Sequence, residues 1–188
     1  MDKDLLIRKN TIEVNKLTAK CLVITTLFLV SLWLFSITDF YHYDVYIMTV
    51  ILVACILLLL IPSVLVNVLK FETLWIKYYV IICSLAAVFL ISTFLSFNYC
   101  ILSIFPILIA TMYCDKKLIN ITAFSSCMCI AISMLLGFYL VENNGVQQQY
   151  TSLLEALIYG VFLRFILILL TTLFSYYIVD RFLLFYSS

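Results

Sequence analysis

The feature that most constrains this chain is a succession of long apolar runs, each close to the length that crosses a bilayer, separated by short polar breaks. The runs occupy 19–37, 45–69, 75–97, 99–113, 118–141 and 153–179. A spanning helix needs about 20 apolar residues, within a range of roughly 17–25. Inside hydrocarbon the backbone must bond to itself, and a helix is the way a single apolar segment does so. The expected fold is therefore all-α, a polytopic membrane protein of six transmembrane helices. The fourth run is the shortest and contains Pro106. A single helix joining the third and fourth runs would be far longer than a bilayer requires, so the break at Ser96-Phe97-Asn98 is kept.

Composition excludes the soluble alternative. An ordinary soluble domain is about 45–50% apolar and about 25% charged, whereas here 66% of the 188 residues are hydrophobic and 11% charged. Fifteen Phe and thirteen Tyr suit a lipid-facing surface bounded by amphipathic rings at the headgroups. No internal repeat or linker divides the chain, so one domain over 1–188 is expected, with 1–18 as a short cytoplasmic lead.

The net charge of +1 is uninformative, but its distribution fixes orientation. Under the six-helix scheme Lys3, Arg8, Lys9, Lys16, Lys20, Lys70, Lys77, Lys116, Lys117 and Arg181 fall on one side of the membrane, and no Lys or Arg falls in the loops of the other. The positive-inside bias then predicts that both termini are cytoplasmic and that the location is the cell membrane. The basic lead is not a cleavable signal, because the run after it ends in Thr38-Asp39-Phe40-Tyr41 rather than in small residues.

Arg164 is the most unusual residue. It stands about 11 positions into the sixth run, roughly 16 Å below the outer boundary at 1.5 Å per residue. A cation at mid-membrane costs about 2.5–3.5 kcal/mol on insertion scales, so it is expected to face the bundle interior. No carboxylate lies at its depth in the other runs. Its acceptors are then backbone carbonyls and hydroxyls, as a structural Arg, or an anionic ligand or lipid headgroup.

Three further features stand out in the sequence. The first outer loop gathers Asp39, His42 and Asp44, which suit a divalent cation or a pH response, although a solvated loop with an aromatic belt explains the same residues more simply. Ser125, Cys129, Ser133 and Gly137 recur at spacing four in the fifth run and form a ridge of small side chains suited to close helix packing. The seven cysteines form no CxxC pair and read as free thiols. No metal site, no cofactor and no catalytic residue is assigned, since phosphate loops, HExxH, GxSxG and paired catalytic carboxylates are all missing.

The segment Phe105-Pro106-Ile107-Leu108-Ile109-Ala110-Thr111-Met112-Tyr113-Cys114-Asp115-Lys116-Lys117-Leu118 is a Pro-led apolar helix ending in Tyr and a short basic turn. It resembles the multi-helix N-terminal sensor regions of bacterial transmembrane diguanylate cyclases and histidine kinases. The resemblance covers this segment and the six-helix, cytoplasmic-ended plan, and transfers no site residue. In that class the last helix runs on into a coiled coil and an output domain. Here the sequence stops at Ser187-Ser188, as a truncated sensor region or a stand-alone protein would.

The function expected is a non-catalytic membrane sensor or regulatory module of a bacterial signalling system. The alternatives are the substrate-binding component of a vitamin-type transporter and a membrane scaffold. The partners expected are the lipid bilayer and, beyond it, a membrane or cytoplasmic signalling partner or a second copy of the chain. No nucleic-acid partner is expected.

Overall fold

The computed structural model describes residues 3–37, 45–70, 73–94, 102–144 and 152–187. Among them every regular element is helical and there is no strand. In chain order the helices are α1 (Lys3–Ile37), α2 (Val45–Asn67), α3 (Ile76–Phe94), α4 (Phe105–Met112), α5 (Lys116–Asn144) and α6, a helical rod over 153–187. Five are long and apolar enough to cross a membrane. The chain is thus an all-α, multi-pass membrane protein. Large side chains such as Phe124, Phe174 and Leu57 are exposed, as a protein solvated by lipid requires. The chain divides into two compact units, Met1–Ala87 and Val88–Ser188, the division falling within α3.

In the first unit α1 and α2 run antiparallel. Ser63 donates from Oγ to the Ala19 carbonyl at 2.9 Å, and Trp33 donates from Nε1 to Thr49 Oγ1 at 3.0 Å. These two bonds fix the register, bringing Asn67 level with Asn15. The basic lead and the first span form one helix, beginning at Lys3. No Gly or Pro interrupts the stretch from Lys3 to Ile37, so nothing in it breaks the i→i−4 ladder.

Hydroxyls enter the hydrocarbon by bonding back to their own helix. Thr18 donates to the Val14 carbonyl at 2.8 Å, Thr25 to Cys21 at 2.9 Å, and Thr122 to Leu118 at 2.7 Å. Each is a local i−4 bond that removes an unsatisfied donor from an apolar medium. Pro62 sits within α2 without ending it. The turn after α2 closes through Val68 and Leu69 amides onto the Val64 carbonyl, and Lys70 takes a left-handed φ of 51°, the usual conformation just past a helix end.

In the second unit α4 and α5 are joined by a tight turn. The amides of Tyr113 and Cys114 bond to the carbonyls of Ala110 and Thr111 at 3.2 and 3.0 Å, and Cys114 has a φ of 52°. Asp115 caps α5, its Oδ1 accepting from the amides of Lys117 and Leu118 at 3.1 and 3.3 Å. This is the N-terminal capping arrangement expected of Asp.

The fourth run is helical from Leu102 to Met112, about 16 Å at 1.5 Å per residue, and so does not span by itself. The rest of the 99–113 run expected as a helix, with the break before it, lies outside the described residues. The geometry of α5 nevertheless places both ends of this stretch. Thr93, near the end of α3, lies against Gly137 of α5: a Cβ built on Gly137 would stand 2.6 Å from the Thr93 carbonyl oxygen. At the other end, the tight turn puts Tyr113 beside Lys116. Between Lys116 and Gly137 α5 rises about 31 Å, the thickness of a bilayer core.

Candidate functional site

The sixth run expected at 153–179 is one rod, but not a uniform one. Leu153–Glu155 is α-helical, Ala156–Phe162 is π-helical, and Leu163–Ser187 is α-helical again. A π-turn holds one residue more than the α-helix it interrupts, and such turns occur often at functional sites. Gly160, within the π stretch, is buried. Arg164 follows two residues after its end and is only 1% exposed.

The guanidinium of Arg164 is therefore inside the second unit, facing the protein and not lipid. Its Nε and Nη1 make no hydrogen bond, while the side chain is engaged through other contacts. Arg164 and Asp180 stand 16 residues apart on the same α-helical stretch, a rise of about 24 Å.

The end of α6 is tied to the α4–α5 turn. Lys116 pairs with Asp180, and its Nζ lies 5.7 Å from the centre of the Tyr176 ring. Deeper in, the Thr111 and Ser175 hydroxyls share a hydrogen bond of 2.7 Å between α4 and α6. Arg181 stacks on Tyr177 on the exposed side, with its Nε 3.2 Å from the phenol oxygen. The Lys116–Asp180 pair is about half exposed, so it defines position more than it adds stability.

The small-residue ridge of α5 is placed as follows. Gly137 and Ser133 are buried, whereas Ser125 and Cys129 are only half-buried. The buried stripe runs instead through Ile119, Thr122, Ser126, Ile130, Ser133 and Gly137. Strict steps of four drift about 40° per step around a helix of 3.6 residues per turn, so the ridge winds off the contact face. Mixed steps of three and four stay on it. Ser126 and Thr122 were missed for that reason.

Asp39, His42 and Asp44 lie outside the described residues. Among the described residues no group of three or more His, Cys, Asp or Glu is gathered as a metal site. The described cysteines are free thiols. Cys114, in the α4–α5 turn and outside the spans, has its pKa raised by burial. Compared with known protein families, with curated proteins and with solved structures, the chain matches none.

Proposed function

We propose that the chain is a regulatory module of the cell membrane, a sensor with no chemistry of its own, in the manner of bacterial signalling proteins. The observation that carries this reading is the π-helical stretch Ala156–Phe162 ending two residues before the buried Arg164. A π-turn migrates along a helix in one-residue steps, and each step turns the side chains it passes by about 100°. One step past Arg164 would swing a permanently charged guanidinium off the buried face. The two positions of the turn are then distinct states, separated by the cost of relocating a charge that cannot be given up as a proton. Shifts of this kind, 1–2 Å along a helix, are a recurring way of switching membrane and subunit interfaces.

The topology that goes with this reading has six crossings and cytoplasmic ends. It is supported by the 31 Å rise along α5 that the chain from Thr93 to Tyr113 must match, and by Lys116, Lys117 and Arg181 at one end of the second unit. The π stretch then lies towards the outer face and the Lys116–Asp180 pair at the cytoplasmic face, so α6 links a signal outside to whatever partner the inner face touches.

The test is to purify the full chain in mild detergent and identify co-purified small molecules by mass spectrometry. The sensor reading expects no stoichiometric vitamin-like solute. One molecule of such a solute per chain would overturn it in favour of a transporter's substrate-binding component.

A further inference from the structure

In the first unit, the face of α1 turned away from α2 carries a column of side chains with two different characters. At the level of Ala19 the buried side of α1 is Asn15, Thr18, Ala19 and Leu22. The opposite side is Lys16, Lys20, Ile24, Leu27 and Leu34, all exposed. Steps of four, four, three and seven keep these five within about 80° of one another around the helix. The rise from Lys16 to Leu34 is about 27 Å, nearly the depth of a bilayer core. The column is thus bare hydrocarbon for most of its length and carries two lysines at one end, with the exposed Glu13 on the same side one turn further out and paired with neither of them.

The two lysines stand one turn apart on one exposed face. In an α-helix the Cα–Cβ bonds tilt towards the N-terminus, which here is the end of the column where the lysines stand. Lys20 begins about 6 Å deeper than Lys16, and its four-carbon stem extends back along the helix towards the polar boundary. A stem of that length lets both ammonium groups reach towards the same headgroup layer. Neither has a carboxylate or other partner among the described residues. Like charges at i and i+4 repel, so the pair lacks one thing, an anion between them. The apolar side chains directly above add a second requirement, that this anion carry an acyl chain.

We propose that Lys16 and Lys20 seat the phosphate of an anionic phospholipid, whose acyl chain lies along Ile24, Leu27 and Leu34. The seat is independent of the sensor reading and of which way the chain faces, since it needs only the lysine end of α1 to lie in a headgroup layer.

The test uses the full chain in nanodiscs of mixed phosphatidylglycerol and phosphatidylcholine, released into detergent, with retained lipids counted by native mass spectrometry. The wild type is expected to retain phosphatidylglycerol beyond its share of the nanodisc, by about five-fold for each lysine at the surface and about thirty-fold for both. The Lys16→Gln/Lys20→Gln double variant is expected to retain the two lipids in the nanodisc ratio. Lys16→Arg/Lys20→Arg, which keeps the charge, is expected to keep the preference, and circular dichroism of all three checks that α1 still forms. A double Gln variant with undiminished preference, or a wild type that shows none, overturns the proposal.

Discussion

Replacing Gly137 with Ala tests the packing of the second unit through the sign of a single number. In an ordinary helix position the substitution gains about 1 kcal/mol, because Gly is a poor helix former. At Gly137 the added methyl would stand 2.6 Å from the carbonyl oxygen of Thr93, 3.5 Å from its carbon and 3.7 Å from its Cα. The obstacle is backbone, so relief requires α3 and α5 to separate by several tenths of an ångström. Overpacking of that kind costs typically about 1–3 kcal/mol. The net expectation is a loss of up to about 2 kcal/mol, from cost less propensity gain. It is measured as unfolding free energy in detergent or bicelles. Ser125→Ala, at a half-buried position on the same helix, is the control and should change stability by less than about 0.5 kcal/mol. A Gly137→Ala protein more stable than wild type would refute the close approach, and with it the placement of Thr93 at the far end of α5.

Deleting Ile158 from the π stretch removes the extra residue and should leave stability near wild type, whereas deleting Ile166 from the regular part of α6 re-phases Arg164 by about 100° and should be strongly destabilising; equal losses in thermal melts would refute the π-turn. Arg164→Lys should lower the melting temperature in detergent with or without added anionic lipids, because the smaller ammonium leaves part of a buried site unfilled and is the more strongly hydrated cation to bury, and unchanged melting would show that the site does not discriminate between the two. On a background without native thiols, Asp44→Cys and Gln148→Cys should react with an impermeant maleimide from outside the cell and Lys117→Cys should not; labelling of Lys117→Cys from outside would mean that the fourth run does not cross. With Cys114 as the sole thiol, alkylation at neutral pH should be slower than at Lys117→Cys, because burial raises the Cys114 pKa and leaves less thiolate; the gap should narrow as pH rises.

Span positions were legible because hydrocarbon imposes length and apolarity together, and five of the six apolar runs coincide with helices long enough to cross. The fourth was harder to read for a physical reason. Pro106 stands in the first turn of α4, where its missing N–H costs nothing, so it marks where the 3₁₀ turn over 102–104 passes into the α-helix. The helix of α1 runs on through the lead because helix propensity does not fall between Lys3 and Lys16 although hydropathy does. The π stretch left no signal, since Ala156-Leu157-Ile158-Tyr159-Gly160-Val161-Phe162 is as apolar as any regular span and its extra residue shows only in hydrogen bonding. Arg164 stood out by charge alone, and its burial follows from the same expense that made it conspicuous.

An α1 that is continuous from lead to span behaves as a lever. Beyond Asn15, where α2 ends, the arm back to Lys3 is about 18 Å long. Tilts of transmembrane helices commonly range over tens of degrees with bilayer thickness. A change of about 10° there would carry the tip of that arm sideways by about 3 Å, about twice the axial displacement of a one-residue step. Thinning or thickening of the membrane would thus be read out as a lateral sweep of the basic end of α1, with no rearrangement of the helix itself.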